Sequence, residues 1–207
     1  MSTPDAKQHW EEHYSARDRI WSGRVNVRLS EIATTLTPGR ALDLGCGEGG
    51  DAVWLAEQGW QVVAVDIAET ALRRAADEAA ARGVADRISF QQQDLSTGFP
   101  EGEFDLVSAH FLHSTFPLDR MPIFAAAARA VRPGGMLLIV NHSGPPPWHA
   151  ELDHHNTFDA PQDIVAALNL PAELWETAEI RSVEREVTTP EGKPFTWFDN
   201  VIILRRR

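Results

Sequence analysis

Between residues 41 and 141 the chain switches period again and again, and this alternation limits its fold more than any other feature. Short unbroken apolar runs are interleaved with longer stretches of helical spacing. Ala41-Leu42-Asp43-Leu44 predicts a buried strand, and Asp51 to Gln58 a helix closed by Gly59. Gln61 to Val65 is a β-branched strand reaching Asp66, followed by an alanine-rich helix from Glu69 to Arg82 that stops at Gly83. Arg87 to Gln92 predicts a third strand leading to Asp94, and Phe104 to Ala109 a fourth. A helix from Leu118 to Val131 and a turn at Pro133-Gly134-Gly135 precede a fifth strand, Met136 to Asn141. Strands separated by helices imply right-handed crossovers, hence a mostly parallel sheet covered on both faces. Runs such as Val62-Val63-Ala64-Val65 suit strands buried on both sides.

The flanks read differently. Residues 5–16 predict a short polar helix carrying Trp10 and Tyr14, then a loop at Trp21-Ser22-Gly23. Residues 25–36 predict a second helix, ended by Pro38-Gly39. After residue 141 come a stiff loop, Gly144-Pro145-Pro146-Pro147, and a helix from Pro161 to Leu168. Two extended stretches, 175–188 and 195–205, flank the turn Pro190-Glu191-Gly192-Lys193, which is a hairpin signal. The 207 residues fit one α/β domain of Rossmann-like type.

Charge and cysteine content exclude several classes. The formal net charge is -11, and the one basic cluster, Arg205-Arg206-Arg207, reads as a solvated tail, so no nucleic-acid partner is expected. Cys46 is the single cysteine, which allows no intrachain disulfide and fits a cytoplasmic location. No apolar run approaches the roughly 18 residues of a membrane span, so no membrane partner is expected.

Asp43-Leu44-Gly45-Cys46-Gly47-Glu48-Gly49-Gly50 is the densest signal. Glycines permit unusual dihedrals and close ligand approach, and the following helix aims its N-terminus at the same spot. Gly45, Gly47 and Gly50 formally match the dinucleotide fingerprint, and Asp66, about 20 residues on, is placed for ribose hydroxyls. An NAD-linked oxidoreductase is therefore one reading. Against it, Asp43 and Glu48 are poor company for a pyrophosphate and better company for a cationic ligand. Asp94 is placed to accept from an adenine amino group.

These segments resemble the motifs of class I S-adenosylmethionine-dependent methyltransferases. Asp43 to Gly49 is similar to their glycine motif, and Asp66 with Ile67 to the acidic ribose ligand and its apolar neighbour. Gln93-Asp94-Leu95 resembles the adenine-edge segment, Phe104-Asp105-Leu106-Val107 the fourth-strand motif, and Arg132 to Gly135 the turn into strand five. The resemblance implies a seven-stranded sheet of order 3-2-1-4-5-7-6 with strand seven antiparallel. It implies S-adenosylmethionine as cofactor, S-adenosylhomocysteine as product, and cofactor contacts from Asp43, Gly45, Cys46, Gly47, Gly49, Asp66, Ile67, Asp94, Leu95, Ala109 and His110. The N-terminal pattern of Trp10, Tyr14 and Trp21 is similar to that of tellurite-resistance and thiopurine-type small-molecule methyltransferases, where this segment closes over the cofactor. It divides the domain into a lid (1–24), a cofactor core (25–141) and a substrate side (142–207). Plain packing of a terminal helix is the competing reading of those aromatics.

Methyl transfer from a sulfonium needs orientation first, and a base only when the nucleophile carries a proton of high pKa. His110 and His113, after strand four, and His142, after strand five, are the candidates for base or substrate ligand; rim histidines without chemistry are the alternative. Trp10, Tyr14, Trp148 and Arg185 are further candidates for a small-molecule acceptor, with Arg181 and Arg185 also readable as solvated strand charges. His149, His154 and His155 match no zinc spacing, and no metal is expected. Cys46 reads as a packing residue, Asp51 as part of a helix's first turn. The chain is expected to act as a monomer or homodimer on an O, N, S or chalcogen acceptor, with a cofactor-binding protein without turnover as the non-enzymatic alternative.

Overall fold

The computed structural model describes residues 5–145 and 158–207. Seven strands form one sheet: β1 (Arg40–Leu44), β2 (Gln61–Asp66), β3 (Ile88–Gln92), β4 (Phe104–His110), β5 (Val131–His142), β6 (Trp175–Thr188) and β7 (Pro194–Arg206). Their order is β3-β2-β1-β4-β5-β7-β6. The first five pair in parallel, and β7 runs antiparallel to both β5 and β6. Six helices are described: α1 (Ala6–Ser15), α2 (Val27–Ala33), α3 (Gly50–Glu57), α4 (Glu69–Ala81), α5 (Arg120–Ala130) and α6 (Pro161–Leu168).

Because side chains alternate along a strand, the sheet builds two cores. Ala41, Val62, Leu106, Leu138 and Ile203 pack with Leu29 and Ile32 of α2 and Leu55 of α3 on one face. Leu42, Val107, Leu137 and Ile202 pack with Phe124 of α5 and Ile164 and Leu168 of α6 on the other.

Helix ends differ from the sequence expectation where a side chain intervenes. α2 starts at Val27, not 25, because Asn26 accepts from Arg28 N and caps it. α5 starts at Arg120, not 118, because Asp119 accepts from Met121 N. A 3-10 turn, Ala85–Arg87, precedes β3. The expected turn at Arg132 to Gly135 is a bulge within a longer β5: Phe104 pairs with Val131 but Leu106 pairs with Met136.

The hairpin overshoots the sheet. β5 ends against β7 at the pair His142–Asp199, whereas β6 follows β7 out to the pair Thr188–Pro194. The overhang carries Arg185 and Trp197, themselves cross-strand partners, beyond the end of β5.

Candidate active site

Ligands of open α/β sheets sit at the carboxyl ends of the strands. There, on the face covered by α2 and α3, adjacent strands each contribute a polar residue. Register places Asp43 of β1 beside Ser108 of β4 and Ala64 of β2, and His142 of β5 beside Asp199 of β7. Period-two alternation then brings Asp66, His110 and Arg185 to the same face.

The glycine turn lies at the centre of this row. Gly45, Gly47 and Gly49 all have positive φ. At Gly47 a side chain is excluded twice over: φ is +53°, and a Cβ would meet the Tyr14 hydroxyl at 3.1 Å and the Trp21 ring at 3.3 Å. Asp66 fixes the turn, its Oδ2 accepting from Gly47 N at 2.9 Å and its Oδ1 from Ala68 N at 3.0 Å. Cys46 is partly buried and packs against the core, and burial, then Asp66 and Asp43, hold its thiol well above the usual range.

Two buried polar atoms beside the turn lack hydrogen-bond partners among the described residues: Asp43 Oδ2 and His110 Nε2. Asp43 is 2% exposed, and its Oδ1 only receives the Ser108 hydroxyl at 3.4 Å. Burial, then the Asp51 carboxylate, pushes Asp43 up to about 7. His110 Nδ1 lies 2.7 Å from Asp51 Oδ2, and Asp51 Oδ1 also accepts from Asn26 N at 2.5 Å. Asp51 thus joins α3, β4 and the start of α2, a role that its place in a first turn did not disclose.

Other expected cofactor residues line the neighbouring edge. Ile67 O accepts from Gln92 Nε2, Asp94 Oδ1 accepts from Ser96 N and Oγ, and Leu95 packs against the second core. Ala109 is buried in β4.

The N-terminal segment crosses over the turn. His9 Nε2 lies 2.7 Å from Thr115 Oγ1 in the loop after β4, while Glu11 on the same helix accepts from Glu69 N and Thr70 N at the start of α4. Tyr14, 4% exposed, receives the Trp21 indole N–H at 3.2 Å, and burial keeps its phenol protonated. Trp10 packs with Tyr14 and Ile20 against Ala68 and Ala71, while Trp21 is 53% exposed. Glu48 corrects a sequence expectation. It does not face a ligand; its buried carboxylate accepts from Ile20 N and Trp21 N and pairs with Arg74 at 2.7 Å.

On the other side of the row, His142 is stacked between Phe111 and Trp197, each at 4.2 Å between ring centroids. Its Nδ1 lies 3.1 Å from Asp199 Oδ1, and Arg185 Nε lies 3.0 Å from Asp199 Oδ2. Arg185 Nη2 also lies 3.4 Å from Nδ1, but the carboxylate is the shorter contact and favours the tautomer with the proton on Nδ1, which leaves Nε2 as the acceptor. Burial holds His142 below its ordinary value, against the pull of Asp199. Arg185 is thus more than a solvated charge: it pairs with Asp199, its Nη2 lies 3.4 Å from His142 Nδ1, and its guanidinium lies over Phe111 and Trp197. Arg181 pairs with Glu179 and Glu31 and fits the solvated reading. His113 Nε2 accepts from His142 N at 3.1 Å, so that nitrogen's lone pair is engaged in holding the strand end. Phe111 has a φ of +50°, a conformation costing about 1–2 kcal/mol for a residue with a Cβ, and it thereby lays its ring on His142. Trp148, His149, His154 and His155 lie outside the described residues. Asp199, Phe111 and Arg74 escaped sequence reasoning. Only the β5–β7 register reveals Asp199, and no local signal marks the other two.

Residues 41–135 match the family model described as a methyltransferase domain. The chain is 30% identical over 155 residues to a probable thiol methyltransferase 2 of Arabidopsis thaliana, covering 70% of this chain and 69% of that protein. A structure solved in work on the conversion of a disulfide bond into a thioacetal group in echinomycin biosynthesis is 27% identical, with a TM-score of 0.71 over 97% of this chain and 92% of that one. TehB from Haemophilus influenzae, at 18% identity, shares the fold with a TM-score of 0.73 over 95% of this chain and 67% of that one. Solved structures of the same fold hold S-adenosylhomocysteine. The site fits that cofactor: a buried carboxylate oxygen without a donor, Asp43 Oδ2, suits its ammonium, and the glycines of the turn admit its methionine part. The dinucleotide reading finds no such support, and the chain belongs to the S-adenosylmethionine-dependent methyltransferases.

Proposed function

We propose that the protein methylates a small molecule whose nucleophile carries a proton, a thiol or hydroxyl, with His142 as general base and Asp199 as its positioning residue. The observation that carries this reading is the His142 Nδ1–Asp199 Oδ1 contact of 3.1 Å at the end of β5. S-adenosylmethionine supplies the electrophilic methyl group and leaves as S-adenosylhomocysteine. Asp43 and the glycine turn hold its methionine part, and Asp66 its ribose. Tyr14 and Trp21 cover the cleft. His142 Nε2 takes the acceptor's proton as the acceptor's lone pair attacks in line. The imidazolium so formed is stabilised by Asp199 and by the π faces of Phe111 and Trp197. Relatives named for thiol and for oxygen methylation support this acceptor class. The single cysteine supports a reducing, cytoplasmic setting.

The test is formation of S-adenosylhomocysteine from S-adenosylmethionine across a panel of small thiols and phenols. Turnover is expected with at least one, and His142→Ala should lower it by about 10²–10⁴-fold while cofactor affinity holds. His142 must be neutral to act, and its value is lowered from 6.5, so the acid limb of kcat/KM should lie below pH 6.5. An undiminished rate in the variant removes His142 from the chemistry. Cofactor binding without turnover on any acceptor favours the non-catalytic alternative.

A further inference from the structure

Glu48 stands between Gly47 and Gly49 of the glycine motif, and its carboxylate is buried and held by three donors. It is 3% exposed, its Oε2 accepts from Ile20 N at 3.1 Å and Trp21 N at 2.9 Å, and its Oε1 accepts from Arg74 Nη1 at 2.7 Å. The other arm of Arg74 donates to Arg17 O at 2.7 Å. The strap of residues 17–24 is thus tied to the glycine turn and to α4 through main-chain atoms. It makes no regular secondary structure of its own. At the far end of the strap, Arg24 O lies where a Cβ on Gly50 would be 2.8 Å away, so the strap rests directly on the start of α3. Between these points Trp21 reaches over Gly47 and bonds Tyr14. A buried carboxylate with two amide donors and a guanidinium is a strong, directional clamp, because the alternative is an unpaired buried charge.

We propose that Glu48, with Arg74 as counter-ion, is a positioning residue that clamps the strap over the cofactor cleft, so that release of this clamp sets how fast S-adenosylhomocysteine leaves. The inference rests on the glycine turn being the cofactor site. The strap bears on the turn that holds the methionine part, and leaving requires Trp21 and Tyr14 to move off Gly47. The hydrogen bonds of Glu48 run to the strap and to Arg74, so the clamp acts through the strap's position. Product release limits turnover in many enzymes with such coverings.

The experiment uses the full chain with S-adenosylhomocysteine. Equilibrium binding is measured by calorimetry. Dissociation is followed by stopped-flow tryptophan fluorescence, and cleavage after Arg17, Arg19 and Arg24 by limited trypsin digestion. Glu48→Ala is the first variant. Arg74→Gln, altered from the partly exposed side of the pair, is the second and guards against a folding defect in the first. Both should raise the dissociation rate about tenfold or more, as expected for loss of a charge-assisted hydrogen bond, and should speed cleavage in the strap while the melting transition stays cooperative. Faster cleavage with an unchanged dissociation rate overturns the proposal, since the strap would then open without governing release. Unchanged cleavage and dissociation in both variants overturn the clamp itself. If the unaltered protein binds no S-adenosylhomocysteine, the cofactor reading falls and the proposal falls with it; normal binding with normal release sinks the proposal alone.

Discussion

Asp43 shows how one buried atom ties stability to ligand binding. Its carboxyl is raised from 3.8 to about 7 by burial first and by Asp51 next, while Ser108 and His110 pull the other way. An unfolded chain ionises this group near its ordinary value, so the folded state holds the proton longer. Stability from that proton is complete below pH 3.8 and drains away as pH rises toward about 7. Asp43→Asn should therefore raise the melting temperature of the ligand-free protein at pH 8. An ammonium ligand needs the ionised form, so binding must displace the proton. The affinity for S-adenosylhomocysteine should fall as pH drops through about 7, and the Asn variant should bind weakly at every pH. Calorimetry across that range checks both signs, and a pH-independent affinity in the unaltered protein would separate Asp43 from the ammonium. The acidic strand end was legible in the sequence. Its orphaned oxygen was not, because that depends on Ser108 being its neighbour across β4.

At the scale of elements, capping is shared between parts of the chain far apart in sequence. α4 starts after Ala68, which has no side-chain oxygen to offer, and Glu11 of α1 supplies the missing acceptor for Glu69 N and Thr70 N. The carboxylate also lies at the positive end of the α4 dipole. Glu11→Ala should cost about 1 kcal/mol, seen as a lower denaturant midpoint, and should loosen α1 from α4. An unchanged midpoint would mean that water caps α4 equally well. The limits of α1, β1, β2 and α6 follow from periodicity, and the structure matches them within a residue or two. The β5 bulge does not, since Pro133-Gly134-Gly135 carries the same signal whether the chain turns outside the sheet or bulges within it.

For the molecule as a whole, the β6–β7 hairpin does two jobs along its length. Residues 199–205 of β7 are paired on both sides and close the core, whereas, among the described residues, the strand pairing of 194–197 is with β6 alone. Hydrogen exchange should be slowest in β1, β4, β5 and the inner part of β7, and faster by orders of magnitude over residues 185–197. Uniform protection along the hairpin would contradict the overhang. Resemblance to a known family named the cofactor, and the sequence by itself determined the class of sheet, the glycine turn and the set of histidines. These rest on local period, on glycine's tolerance of positive φ, and on side-chain charge, which are properties of short segments. Tertiary structure alone decided which carboxylates His110 and His142 meet, why Glu48 turns to the strap, and where Arg185 finds its partner. The histidines and Arg185 depend on register between strands distant in sequence, where a shift of one residue turns every side chain to the opposite face, and Glu48 depends on the strap and α4 meeting at the glycine turn.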